Sequence, residues 1–337
     1  MTRIWTIISA VGSFGVAALF GLWLVPFLKK IHFGQTIREE GPEWHQSKQG
    51  TPIMGGFMFI LASLAVGIPC VILYNAFSGA PENMLLSAKV YAGMFMALAF
   101  GGIGFIDDYI KAVKKRNLGL TAIQKLVLQF LVAIAYLATM YFFKDNTQTF
   151  IPFVGMVDLG IWYYPLSAIF IVGMVNAANL TDGIDGLNGS VTFFGAIFFM
   201  LMAPLLDRMG ASVMSAALAG GCLGFLVWNF HPARVFMGDT GSLYLGGFMC
   251  AIAFALDMPV MLILVGLVYI LEMFSVILQV GYFKLTHGKR LFKMSPIHHH
   301  FEKCGWSEVK IVTVFSVFTM ICGALALLIV MKYKGFI

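Results

Sequence analysis

Two adjacent aspartates, Asp107 and Asp108, close the apolar run "GFIDDYIK". A carboxylate pair is the hard oxygen donor set that Mg²⁺ takes beside phosphates. Acids at the edge of a long apolar run are costly there, which makes them functional candidates. The plainer reading of the pair alone is the solvated end of a helix. In "NLTDGIDGLNGS", Asp182 and Asp185 are three residues apart and share a face if a helix starts near Asp182. Gly183 and Gly186 would let a ligand approach the backbone there, although a glycine-rich turn with an N-cap reads equally well. "FMGDTGSL" repeats the layout, with Asp239 between glycines and hydroxyls at the mouth of another apolar run. A helix N-terminus of this type suits phosphate oxygens.

The run "MSPIHHHFEKCGW" adds His298, His299 and His300. Successive side chains diverge on a strand or a helix, so the three cannot share one direction, and Pro296 favours a loop or a helix start. A zinc site is the alternative, but no HExxH-type pattern accompanies the triplet. Phosphate donors or proton carriers are the preferred reading. Glu272 lies inside an apolar run, where a structural hydrogen bond within a helix bundle is the expected role.

The elements that carry these residues are read from composition. The chain has 337 residues, 60% of them hydrophobic and 11% charged, with mean hydropathy +0.88. Soluble domains carry roughly 25% charged residues. The chain is therefore expected to be an all-α integral membrane protein, a single polytopic domain over 1–337 surrounded by membrane lipid. The first apolar run, 5–28, is long enough to span and lacks a small-residue cleavage site, so it reads as a transmembrane helix rather than a signal peptide. Of five cysteines, all but Cys304 sit in apolar runs, which points to packing. Net charge +6 would suit an anionic partner, but in a polytopic chain basic residues chiefly set topology. Nothing calls for nucleic acid.

Ten spans are expected, near 5–28, 53–74, 88–106, 121–143, 161–179, 188–206, 211–230, 241–256, 259–283 and 308–331. The connections after odd-numbered spans hold Lys29, Lys30, Arg38, Lys48, Lys111, Lys114, Lys115, Arg116, Arg234, Lys284, Lys289, Arg290, Lys293 and Lys303. The other side keeps Arg3, Lys89, Lys144, Arg208, Lys332 and Lys334. The positive-inside rule makes the first side cytoplasmic and puts both termini outside. Glu272 apart, the acids, amides and histidines above fall on that cytoplasmic side, in four of its five connections. A secondary transporter would instead carry acids near mid-membrane and internal repeats, and no repeat is present.

Six stretches then carry a family resemblance: "SKQGTPIMGG" at 47–56, "FIDDYIK" at 105–111, "NAANLTDGIDGL" at 176–187, "NFHPARVFMGDTGSL" at 229–243, "SVILQVGYFKL" at 275–285 and "MSPIHHHFEKCGW" at 294–306. In this order the chain resembles the phospho-N-acetylmuramoyl-pentapeptide-transferases, a branch of the polyprenyl-phosphate N-acetylhexosamine-1-phosphate transferases. The histidine run marks that branch against relatives that transfer N-acetylglucosamine 1-phosphate. The resemblance implies a ten-helix enzyme of the bacterial plasma membrane with a cytoplasmic site, and a homodimer is compatible with the family. It implies transfer from UDP-N-acetylmuramoyl-pentapeptide to undecaprenyl phosphate, giving lipid I and UMP with Mg²⁺. It also implies roles, with Asp239 as magnesium ligand and Asp107 and Asp108 as the adjoining pair that helps hold the metal and acts as base or nucleophile. A phosphate monoester is largely ionised near neutral pH, its second pKa being about 6, so direct attack by the lipid phosphate is favoured over a covalent aspartyl intermediate. Asn179, Asp182 and Asp185 would line the nucleotide pocket and Phe236 would stack on uracil. Asn176, Asn229 and Gln279 would add hydrogen bonds, while Lys48, Lys111 and Lys125 would balance phosphate charge. His298 is the histidine expected to matter most for activity, with His299 and His300 near sugar or phosphates. Two positions depart from the family pattern: Ile53 stands for a threonine expected near the nucleotide, and Tyr244 stands for a small residue in a packed span.

Overall fold

The computed structural model describes residues 2–31, 48, 50–78, 84–113 and 119–337; Arg38, Ser47, Gln49, Lys114, Lys115 and Arg116 lie outside them. Helices α1 (Thr2–Lys30), α2 (Phe57–Ala62), α3 (Ile68–Phe77) and α4 (Met84–Val113) come first, with a π-helical turn, Ser63–Gly67, joining α2 to α3. Next are α5 (Ala122–Phe142), a hairpin of β1 (Gln148–Ile151) and β2 (Gly155–Asp158), α6 (Tyr163–Thr181), α7 (Leu187–Leu205) and α8 (Met209–Asn229). The chain ends with α9 (Gly238–Ala255), α10 (Met261–Val265), α11 (Leu267–Leu285), α12 (Ile297–Glu302) and α13 (Glu308–Tyr333). Among the described residues nine stretches are long and apolar enough to cross a membrane. The protein is an all-α integral membrane protein.

The helix expected over 241–256 is present as α9 but falls outside those nine. Its residues from Thr240 to Ala255 are all buried, because α4, α6, α7, α8 and α2 pack around it. A helix that meets protein on every side needs no lipid-facing stripe and can carry glycine, serine and threonine. Small residues let its neighbours close in: a Cβ on Gly246 would lie 2.7 Å from the Val175 Cα. Tyr244, the departure in this helix, is fully buried. Its ring stacks on Phe59 and its hydroxyl pairs with Ser63 in the π-helical turn, so the added polar atom has a partner.

Three other expectations shift. Residues 53–56 are not helical; Phe236 N–H donates to the Pro52 carbonyl at 2.8 Å, and Gly55 and Gly56 N–H groups donate to Phe236 and Met237 at 2.8 and 3.2 Å. Ile53 is buried in the core beside this ladder. The span expected over 259–283 breaks at Gly266 into α10 and α11. Finally, α4 runs two turns beyond the expected 106, which puts Asp107, Asp108 and Lys111 on a helix rather than in a loop. The Asp107–Lys111 ion pair at i,i+4 spacing, 2.6 Å, supports that extension.

At the end of the bundle away from the acids, Lys89 pairs with Asp145 at 2.8 Å and also with Asp257. Asp257 in turn takes Arg208 at 3.0 Å, so three separate connections are tied to the start of α4. The Lys89 side chain is only 2% exposed, and breaking a buried pair from one side leaves an uncompensated charge worth about 3–5 kcal/mol. Lys89→Met is expected to lower the detergent melting temperature while the surviving folded fraction keeps its turnover number. Thermal denaturation and an activity assay on the same preparation check both halves.

Candidate active site

Asp107 and Asp108 leave α4 almost fully buried, and Asp239 opens α9 beside them. Ligand atoms of the three carboxylates lie within 4.8 Å of one another. The two aspartates of the pair have different surroundings. Asp108 Oδ1 accepts from the Asp239 N–H at 3.1 Å, and its Oδ2 accepts from the Thr240 N–H at 2.9 Å and the Thr240 hydroxyl at 2.7 Å. The N-terminus of α9, expected to be open to a phosphate, is thus already occupied by Asp108. Asp107 accepts from the Leu120 N–H at 2.7 Å and pairs with Lys111. Gly104, one turn earlier, permits the approach: a Cβ there would lie 2.1 Å from the Asp239 carbonyl oxygen.

Asp239 gathers the cations. Lys111 reaches its Oδ2 at 2.9 Å and Lys125, from the first turn of α5, at 3.0 Å. Asn179, at the end of α6, donates to Oδ1 at 2.8 Å. Lys125 is placed by a capping box in which Thr121 and Gln124 exchange side-chain and backbone hydrogen bonds. Asp182 follows α6. Loss of hydration first, then the charges of Asp239, Asp108 and Asp185, push its carboxyl well above the ordinary carboxylate range.

Asp182 and Asp185 do not share a helix face. Gly186, at φ +79°, caps α7, whose first residue is Leu187, so the two acids lie in the connection and diverge. Asp185 meets Lys48 at 2.7 Å, His231 at 3.1 Å and the Ala233 N–H at 2.9 Å. Glu308, opening α13, joins Lys48 at 2.6 Å and accepts from the Asp185 N–H at 2.9 Å. The sequence reading missed Glu308 and His231. Glu308 reads as an ordinary first-turn acid after the Ser307 N-cap, and His231 sits unmarked in "NFHPAR".

Several expected ligand-binding groups also make hydrogen bonds within the fold. Asn229 accepts from the Gly186 N–H at 3.0 Å and donates to the Val235 carbonyl at 2.9 Å. Gln279 accepts from the Leu291 and Phe292 N–H groups at 3.1 and 2.8 Å, and Asn176 pairs with Gln129 at 2.6 Å. Each holds a connection or helix that borders the acids. Phe236 is half-buried, its backbone in the ladder with residues 52–55. The histidines diverge as expected: buried His298 meets Glu272 at 3.0 Å, His299 meets Glu302 at 2.6 Å, and His300 accepts from the Lys293 N–H at 3.1 Å. Each thus takes a different partner within the fold. Beside α4 an apolar cavity of about 420 Å³ runs between Phe20, Trp23, Phe27, Met54, Phe105 and Tyr109.

Residues 90–257 match the glycosyl transferase family 4 profile. The chain is 45% identical to the phospho-N-acetylmuramoyl-pentapeptide-transferase of Clostridium perfringens strain SM101, over 94% of either chain. The protein of that name from Heliobacterium modesticaldum is 44% identical over 95% of this chain and 96% of its own, and that of Clostridioides difficile strain 630 is 42% identical over 96% and 97%. With this identity along nearly its whole length, the chain belongs to the family of the phospho-N-acetylmuramoyl-pentapeptide-transferases.

Proposed function

We propose that the protein transfers phospho-N-acetylmuramoyl-pentapeptide from its UDP derivative to undecaprenyl phosphate, forming lipid I and UMP. In bond terms, an oxygen of the lipid phosphate bonds to the sugar-bearing phosphorus of the diphosphate. The bond from that phosphorus to the bridging oxygen breaks, and the oxygen leaves with UMP. The observation that carries this reading is the convergence of Asp107, Asp108, Asp239, Lys111 and Lys125 at one end of a membrane bundle. Phosphoryl transfer needs little covalent chemistry from the protein; positioning and charge neutralisation carry most of it.

Lys111 and Lys125 would meet phosphate oxygens, with Asp239 between them as their counter-charge. Asp108 serves as the anchor of α9; with three donors on its two oxygens it is a poor nucleophile, which favours direct attack by the lipid phosphate. Asp107 is the less committed of the pair and is the better candidate for a weak base. Asp182, Asn179, His299 and Phe236 would border the space where sugar, phosphate or uracil would lie. Lys48 is bound to Asp185 and Glu308, so its role is to lock the 180–187 connection against α13 as well as to add positive charge. The apolar cavity beside α4 would give the lipid chain a wall next to the acids.

The donor chemistry fits Mg²⁺. Asp107, Asp108 and Asp239 bring carboxylate oxygens within 4.8 Å of one another, a hard oxygen donor set of the kind this ion takes beside phosphates. Asp107, Asp108 and Asp239 would hold the ion, and when bound it would neutralise charge on the phosphate oxygens. The positive-inside argument supports a site on the cytoplasmic side of a bacterial plasma membrane.

The test is UMP release by detergent-purified protein supplied with UDP-N-acetylmuramoyl-pentapeptide and undecaprenyl phosphate. Release is expected only with both substrates, to stop with EDTA and to return with excess Mg²⁺. A folded protein that releases UMP at full rate in EDTA would contradict the metal assignment, and one that releases none would contradict the function.

A further inference from the structure

Glu272 and His298 form a pair in which both side chains are fully buried, although one sits midway along α11 and the other in the first turn of α12. Only half of their polar atoms are used. His298 Nδ1 lies 3.0 Å from Glu272 Oε2, whereas His298 Nε2 and Glu272 Oε1 are buried without a hydrogen-bond partner among the described residues. A pair kept only to brace the bundle would have its atoms satisfied, since buried polar atoms in native proteins nearly always are.

The orientation of the free nitrogen is specific. Nε2 points at Gly183, where a Cβ would lie 2.1 Å from it and 2.6 Å from the ring Cε1. Gly183 follows Asp182, and the α6 end of that connection carries Asn179 and through it Asp239. The ring is held from behind by Glu272 and flanked by the His299 ring, 4.1 Å between centroids. A buried carboxylate needs an N–H facing it, so the proton of the imidazole belongs on Nδ1. The nitrogen left for other work is the one packed against Gly183, as in sites where a carboxylate fixes the tautomer of a functional histidine.

We propose that Glu272 is a positioning residue for the transfer: it holds a proton on His298 Nδ1 and sets Nε2 against Gly183, in the connection that carries Asp182 and Asp185, where it meets a phosphate oxygen of the nucleotide-sugar substrate when binding displaces Gly183 from it. Nε2 meets that oxygen as an N–H donor, the second ring proton being stabilised by the carboxylate behind it. The inference rests on the proposed function, because a phosphate-bearing substrate must occupy the site.

The experiment is a double-mutant cycle on kcat/KM with Glu272→Gln, His298→Gln and the double variant, each checked for its melting temperature. Removing a carboxylate that orients a functional histidine costs about 10- to 100-fold, so Glu272→Gln, whose amide oxygen still accepts from Nδ1, is expected to lose that much with a melting temperature no lower than that of His298→Gln. The double variant is expected to be no worse than His298→Gln, since Glu272 acts through the ring. Wild-type kcat/KM in Glu272→Gln, or losses that multiply in the double variant, would overturn the proposal. A readout independent of turnover accompanies the cycle: ¹⁵N spectra of histidine-labelled protein, with the His298 signals identified by their loss in His298→Gln. They are expected to show Nδ1 protonated in the wild type and altered in Glu272→Gln, and a bare Nδ1 in the wild type would overturn the proposal. If the wild type transfers nothing, the functional reading falls, while the spectra still decide whether Glu272 holds that proton.

Discussion

Asp239→Asn is expected to lower turnover by about 10²- to 10³-fold, the range seen when one preorganised electrostatic group is removed from a transition state. Asp239 is the side chain on which Lys111, Lys125 and Asn179 converge. Its charge balances two ammonium groups and completes the three-carboxylate set. The change leaves the fold largely alone, because α9 is anchored through the backbone N–H of residue 239, not its side chain. Loss of an acid from a partly buried first helical turn costs up to about 2 kcal/mol, less than the loss of a backbone anchor and its buried donors together. The melting temperature should therefore stay near that of the wild type while UMP release collapses, and the Mg²⁺ needed for half-maximal rate should rise. Parallel melting and Mg²⁺ titrations check this; wild-type turnover in the variant would remove Asp239 from the site.

Asp108→Asn is expected to fail differently, losing stability and activity together. Asp108 is 2% exposed, and its two oxygens accept the Asp239 N–H, the Thr240 N–H and the Thr240 hydroxyl. An amide presents an NH₂ group to at least one of these donors. Leaving a buried donor unpaired costs about 1–3 kcal/mol, and more where a charged partner has been lost, so a loss of about 3 kcal/mol is expected. As the start of α9 moves, Asp239 moves with it, and turnover should fall at least as far as in Asp239→Asn. Asp107→Asn is the control: Asp107 holds the Leu120 N–H and Lys111 but not α9, so its stability loss should be smaller. Equal melting temperatures for the two variants would contradict the division of labour within the pair.

That division was not legible in the sequence. Asp107 and Asp108 are adjacent and chemically identical, and what separates them is which side of α4 faces α9, a property of helix packing. The spans themselves were legible because lipid imposes long apolar runs. The exceptions have physical reasons. Helix α9 meets no lipid and so has the weakest apolar signature, and the Gly266 break and the ladder between residues 52–56 and 236–237 rest on long-range backbone contacts. The approach of Lys48 to Asp185 was hidden for the same reason, since Glu308 completes that cluster from another helix. From sequence alone Glu272 reads as a structural hydrogen-bonding group within the bundle. The run that holds it gives no sign of His298, and only folding shows that the pair leaves one nitrogen aimed at Gly183.

The mass of the lipid product tests the central claim most directly. Purified protein would be incubated with undecaprenyl phosphate and an equimolar mixture of UDP-N-acetylmuramoyl-pentapeptide and UDP-N-acetylglucosamine, and the lipid fraction examined by mass spectrometry. The predicted result is a single new species, undecaprenyl diphosphate bearing the muramoyl-pentapeptide, absent in Asp239→Asn. A product bearing N-acetylglucosamine instead, or no new lipid from a folded and Mg²⁺-supplied protein, would contradict the account.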